Sequence, residues 1–187
     1  MGWVMRVQVS PEFFIFTSGR NHVPHKELTM KKEKRPVVDL HTDGSFKGNP
    51  KVGGYSGVMV SGQHVMAFVG RDEKAKDNDH MELQAIVSGM KQVNTPARIT
   101  ITSDSKYVVN GVNSWINNWK RNGWKTSKGK DVANRELWEE VAELKKTHIV
   151  KANWTKGHKD NPTTQPEIAN ETCDYLAQSA ADGELKF

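Results

Sequence analysis

The stretch Pro36-Val37-Val38-Asp39-Leu40-His41-Thr42-Asp43-Gly44-Ser45 decides how the rest of the chain is read. Val38, Leu40 and Thr42 alternate with Val37, Asp39, His41 and Asp43, the two-residue period of an extended strand. Gly44, Gly48, Asn49 and Pro50 then signal a turn, so the strand is expected to end near Asp43. A carboxylate at a strand end, followed by hydroxyl and amide side chains, is well placed to hold a cation. Aspartate before glycine also starts many turns that bind nothing. The two readings separate only if carboxylates from later in the chain converge on Asp43.

Downstream the pattern stays regular. Residues 53–60 and 64–70 read as a second and third strand, joined by a hairpin turn at Ser61-Gly62. A charged loop leads into a helix over 80–93, with Asp79 as its cap and Met81, Ala85, Ile86, Met90 and Val93 on its apolar face. A fourth strand, 98–102, runs into Ser103-Asp104-Ser105. Helical segments follow over 105–115, on to about 122, and over 134–146, where Leu137, Trp138, Val141 and Leu144 recur at helical spacing. A fifth strand, 148–154, a polar loop and a last helix opening at Ile168 or Ala169 complete the order. This is an α/β arrangement: a five-stranded mixed sheet, three antiparallel strands and then parallel ones, flanked by helices.

Upstream, residues 1–35 differ in character. Trp3, Met5, Val7 and Val9 alternate, which allows one short strand, and Lys31, Lys32, Lys34 and Arg35 form a basic run. These residues are read as a flexible or accessory arm, and 36–187 as the main domain. Over the 187 residues, 27 Lys and Arg against 22 Asp and Glu give a formal charge of +5, which suits a polyanionic partner. The sequence pI of about 9.2 agrees, and a mean hydropathy of −0.69 fits a soluble domain with no membrane partner. The lone cysteine, Cys173, excludes an intrachain disulfide and suits a reducing compartment, so the cytoplasm is expected.

Four acids fall at element ends: Asp43 after the first strand, Glu82 in the first turn of the first helix, Asp104 after the fourth strand, and Asp174 early in the last helix. Open α/β sheets build their sites at such ends. Four converging carboxylates repel one another unless cations neutralise them, and hard oxygen ligands suit Mg²⁺ or Mn²⁺. Two such ions about 4 Å apart can activate a water and stabilise the leaving oxygen of a phosphodiester.

Thr42-Asp43-Gly44-Ser45 with Gly48-Asn49-Pro50, His80-Met81-Glu82-Leu83, Thr102-Ser103-Asp104-Ser105-Lys106-Tyr107-Val108, Thr155-Lys156-Gly157-His158 and Asn170-Glu171-Thr172-Cys173-Asp174-Tyr175-Leu176-Ala177 follow one another in that order. Together they resemble the motifs of ribonuclease H type 1, in its bacterial-like form. The resemblance runs from Val37 to Ala181 and implies the ribonuclease H-like fold. It implies an endonuclease that hydrolyses the RNA strand of RNA–DNA hybrids with two Mg²⁺ per site, Mn²⁺ being an alternative, and that leaves 5′-phosphate and 3′-hydroxyl ends. By the same resemblance Asp43 bridges both ions, Glu82 and Asp104 complete one metal site, Asp174 completes the other, and His158 moves a proton or aids product release. A monomer is implied as well.

Between Ser105 and Lys130 there are six Lys or Arg and no Asp or Glu. Trp115 and Trp119, four apart, share a helix face and are expected to pack a small corner. Lys120, Arg121 and Lys125 then stand on its outer side. The segment resembles the basic protrusion of the bacterial enzymes, which grips the DNA strand by its phosphates. Gly44, Ser45, Asn49 and Asn78 are the other candidate hybrid contacts. The chain departs from the family at Asp77 and Asp79, which bring negative charge to an expected phosphate pocket. It departs also at Phe46-Lys47 in the first turn, and in a longer loop after His158.

Overall fold

A computed structural model of the protein describes residues 4–8, 35–157 and 161–185. The described strands are β1 (Val4–Gln8), β2 (Val37–Gly48), β3 (Lys51–Ser61), β4 (His64–Asp72), β5 (Arg98–Ser103) and β6 (Ile149–Trp154). They form one mixed sheet in the order β1-β4-β3-β2-β5-β6. The expected five-stranded sheet is its body: β2, β3 and β4 form the antiparallel meander, and β2, β5 and β6 run parallel. A sixth strand, β1, is added to it, paired antiparallel with β4 from Val4↔Gly70 to Gln8↔Met66.

β2 is longer than its glycine suggests. It passes through Asp43 and Gly44 and pairs with β3 as far as Gly48↔Lys51, so the turn comes at Asn49-Pro50. Glycine without a partner breaks a strand, but here the ladder with β3 continues through Gly44↔Tyr55 and the Gly44 amide is satisfied by the Asp43 carboxylate. The parallel neighbour ends earlier, the last β2–β5 pair being His41↔Thr102. Asp43 therefore sits just beyond a fork, where β5 has stopped and β3 continues. That fork replaces the expected strand end and has the same consequence, an open side next to a carboxylate.

Helices cover both faces. Helix α1 (Asn78–Lys91) packs against β2 and β3. Its cap is Asp77, not Asp79: the Asp77 carboxylate accepts from the His80 amide at 2.7 Å. After β5 come α2 (Lys106–Asn110), a π turn (Gly111–Trp115) and α3 (Ile116–Arg121). Helix α4 (Arg135–Thr147) follows, and buries Leu137, Trp138, Val141 and Ala142. Leu40, Phe68, Met81, Leu83, Ile86, Ile99, Ile101 and Trp138 form the main core, almost without solvent exposure. Burial of each such side chain contributes about 1.5–3 kcal/mol.

Helix α5 (Gln165–Asp182) lies over β2 and β3 and buries Ala169 and Cys173 against Val58. It begins three residues before the expected Ile168, because Thr164 and Glu167 form a reciprocal capping box ahead of Pro166. Ser56 Oγ donates to the Cys173 carbonyl at 2.6 Å and fixes the helix against β3. At the far end Arg71 Nη1 donates to the Ala180 and Ala181 carbonyls at 2.6 and 2.8 Å, and Lys47 pairs with Asp182.

Candidate active site

Asp43, Glu82 and Asp104 come together at the fork: each offers an oxygen, and these oxygens lie within 4.8 Å of one another. Gly44 makes the approach feasible, because a Cβ there would stand 2.4 Å from the Glu82 nitrogen. Its bareness lets the first turn of α1 lie on the strand, which brings Glu82 beside Asp43. Asp104 follows the last residue of β5. Its other neighbour is Gly157, where a Cβ would meet Asp104 Oδ2 at 1.9 Å. The Trp154 indole donates to the Asp104 carbonyl at 2.9 Å and holds the chain after β5.

Asp43 and Glu82 are 5% and 7% exposed, so their charges are largely stripped of water. Burial, and then the Asp104 charge, push the Asp43 carboxyl up to about 8. The Gly44 amide, donating to Asp43 Oδ1 at 2.8 Å, opposes this. Burial first, and then Asp43 and Asp104, hold Glu82 well above the usual carboxylate range. Each acid raises the other through its charge, so burial and mutual repulsion favour protonated carboxyls at this pair when no cation is bound. Ser103 Oγ lies 3.4 Å from Glu82 Oε2 and stabilises its charged form.

Asp174 is half-buried on α5, with Gln178 Nε2 donating to it at 2.5 Å. Its oxygens fall outside the tight trio, while its charge still raises Asp43. His158 lies outside the described residues.

Such a trio is costly to assemble unless cations occupy it. All its donors are hard oxygens, it is buried on the strand side and open at Asp104, and it fits Mg²⁺ or Mn²⁺ better than a softer metal.

The RNase H family model matches residues 35–182. The chain belongs to the ribonuclease H family. A ribonuclease H of Syntrophotalea carbinolica is 39% identical over 152 residues, covering 81% of this chain and 95% of that protein. One from Francisella tularensis subsp. novicida is 41% identical over 149 residues, 80% and 93% of the two chains. The crystal structure of LC9-RNase H1, described as a type 1 RNase H with the type 2 active-site motif, superposes with a TM-score of 0.66. It is 28% identical and spans 81% of this chain and 75% of its own. The chain is thus a ribonuclease H of type 1, and an enzyme.

Within this ribonuclease H the other predicted contacts are more scattered. Ser45 is half-buried on β2, Asn49 is exposed in the hairpin turn, and Asn78 is exposed at the start of α1. Gly44 is pressed against α1, and its side-chain position is filled by the helix. Trp115 and Trp119 pack into an aromatic corner, ring centroids 5.6 Å apart, with Trp119 5.3 Å from Trp138. Lys120, Arg121 and Lys125 are exposed around it; Arg121 reaches Asn118, and Lys125 pairs with Asp131 at 2.6 Å. Phe46 packs on the core and Lys47 is held by Asp182, so neither departure of the first turn adds a free charge. Ser103 and Trp154 are the supports that sequence reasoning missed. Ser103 stood in the Thr-Ser-Asp-Ser motif, but nothing in the sequence marked its hydroxyl as facing Glu82.

Proposed function

We propose that this ribonuclease H is an endonuclease that hydrolyses the RNA strand of RNA–DNA hybrids, leaving 5′-phosphate and 3′-hydroxyl ends. The observation that carries the reading is the buried trio of Asp43, Glu82 and Asp104, each oxygen within 4.8 Å of the others. Asp43, Glu82, Asp104 and Asp174 would hold two Mg²⁺. When bound, the ions supply Lewis-acid stabilisation of the attacking and leaving oxygens of the phosphodiester. The chain's own part begins with Glu82 and Asp43, both raised by burial, which must lose their protons before they can act as ligands. Ser103 then keeps Glu82 turned inward. Asp104, fixed by Trp154 and Gly157, marks the open side from which a scissile phosphate enters. His158 takes up or returns a proton near neutrality.

Hybrid recognition rests on shape and 2′-hydroxyl contacts, for which Gly44, Ser45, Asn49 and Asn78 are the candidates. The exposed Lys120, Arg121 and Lys125 serve the DNA strand as a basic protrusion beside Trp115 and Trp119. A distant relative of the same fold, LC11-RNase H1, at 16% identity, has been crystallised with an RNA/DNA hybrid. We place the enzyme in the cytoplasm as a monomer; no described helix is long and apolar enough to cross a membrane.

Labelled RNA–DNA hybrid, RNA duplex and DNA duplex, each with Mg²⁺, test the reading with the native protein and with Asp104→Asn. Cleavage confined to the RNA strand of the hybrid and lost in Asp104→Asn is expected. An intact hybrid with folded, Mg²⁺-supplied protein overturns it, and cleavage of duplex DNA points instead to a DNA nuclease of the same fold. The role of His158 is tested separately by His158→Ala, for which an unchanged turnover rate removes the residue from the mechanism.

A further inference from the structure

Helix α3 and the end of the π turn before it have two working sides. Trp115 and Trp119 turn towards Tyr107 and Trp138. Ile116 and Lys120, also four apart, turn towards α4 instead. There Ile116, Asn117, Lys120, Ala142, Lys145 and Lys146 line a cleft of about 180 Å³. Three lysine side chains thus border one cleft between two helices.

Lys145 is the unexpected member. It follows Leu137, Trp138, Val141 and Leu144, at a helical position that the pattern reserves for an apolar side chain. It is half-buried, and its Nζ donates to the Val112 carbonyl in the π turn. Burial, and then the charge of Lys120, lower its pKa, so the like charges bear on one another. Glu143 binds Lys146 and also feels Lys120, and among the described residues it is the carboxylate found acting on these lysines. Three cations against one acid leave the cleft positive. A long lysine stem lying over apolar surface accounts for one such residue. It does not account for three lysines bordering one hollow, where an anion would relieve the repulsion between Lys120 and Lys145.

The opposite flank of α3 carries a larger cleft, about 420 Å³, whose lining includes Tyr107, Trp119, Lys128 and Lys130. Basic groups therefore stand on both sides of the helix, and only Lys120 of the predicted protrusion residues belongs to the α4 side.

We propose that the α3–α4 cleft is a second backbone-phosphate site for nucleic acid, in which Lys120, Lys145 and Lys146 hold a phosphodiester of a hybrid extending beyond the catalytic stretch. The site rests on the hybrid-binding reading above and adds to it two residues of α4 that no basic run in the sequence announces. The contact is electrostatic and carries no sequence information.

Binding without cutting is measured with Asp104→Asn protein and a long fluorescent hybrid, by anisotropy across a salt series. Each lost phosphate contact lowers the slope of log K against log salt by about 0.9. Lys145→Gln/Lys146→Gln is expected to lower the slope by about one and to weaken binding about three- to tenfold at low salt. Lys146→Gln alone, at an exposed position, gives a smaller change of the same sign and guards against a disturbed α4; Lys151→Gln on β6 gives none. Normal binding with unchanged slopes in the cleft variants overturns the cleft alone. Failure of the Asp104→Asn protein to bind hybrid at all overturns the functional reading and the cleft with it. Side-chain NMR signals of Lys145 and Lys146 that move with hybrid and not with millimolar inorganic phosphate assign the anion to a polynucleotide; the reverse pattern overturns the proposal.

Discussion

The Asp43–Glu82 pair makes the metal-free enzyme work against its own fold. Asp43 titrates near 8 in the folded protein against an ordinary 3.8. Between those values the native state binds more protons than the unfolded chain, so stability falls as pH rises through the window. With EDTA present, the unfolding temperature is expected to be lower at pH 8.5 than at pH 6, and Mg²⁺ is expected to raise it more at the higher pH. At pH 8.5, where Asp43 is charged, Asp43→Asn removes the buried charge and should stabilise the metal-free protein by about 1–3 kcal/mol, with a smaller gain at pH 6, while abolishing cleavage. Calorimetry with and without EDTA checks both, and a destabilised Asp43→Asn protein would contradict the electrostatic account. Cys173 offers a second test at this scale. Its thiol is buried, reaches the His41 carbonyl at 3.5 Å and is pushed up to about 12, chiefly by burial. Only the thiolate reacts. An alkylating reagent at pH 7.5 is expected to leave the native protein unlabelled and to label it fully in urea; rapid labelling of the native protein would show that α5 lifts readily from β3.

Among the elements, α5 carries Asp174 and is held at three places: Ser56 under Cys173, the capping box at its start, and Arg71 under its last carbonyls. Arg71→Ala removes the guanidinium bonds to the Ala180 and Ala181 carbonyls, of which Ala180 keeps the Gly183 amide, at a cost of about 1–3 kcal/mol. It should also raise the Mg²⁺ concentration needed for half-maximal activity, since Asp174 loses its firm seat, with Arg71→Lys restoring part of the loss. A change in stability with no change in Mg²⁺ dependence would separate the clamp from the site. The same helix shows what sequence could and could not reveal. The β2 alternation and the apolar faces of α1 and α4 were legible because each is a local pattern. The start of α5 was not, because Thr164 and Glu167 act as a pair across a turn next to Pro166. Asp77 lost the cap to Asp79 in the sequence reading because both can serve, and only the path of the chain into α1 decides. Gly44 read as a strand breaker since its partners on β3 and its contact with Glu82 come from elsewhere in the chain. The cleft at Lys145 was invisible for the same reason, as it needs α3 and α4 side by side.

At the scale of the whole molecule, the open question is what residues 1–35 contribute. The family match begins at residue 35, and the five strands from β2 to β6 with α1, α4 and α5 already enclose the core. The stretch 36–187 is therefore proposed as the catalytic unit. Arg35 is worth retaining with it, because its Nη1 donates to the Thr147 carbonyl at the end of α4 at 3.1 Å. What a 35–187 fragment gives up among the described residues is β1, a five-residue edge strand whose loss bares the β4 edge. That should cost roughly 1–2 kcal/mol, or about 2–8 °C in unfolding temperature for a domain of this size. Turnover of saturating hybrid should be unchanged, since β1 pairs on the side of the sheet away from the fork between β2 and β5. Affinity at low salt should fall, because Lys31, Lys32 and Lys34 leave with the segment, and the difference should vanish as salt rises. Kinetics of the two proteins across a salt series separate these effects. A fragment that unfolds non-cooperatively would make β1 part of the domain, and a fragment with unchanged affinity at low salt would leave the basic run without a role in binding.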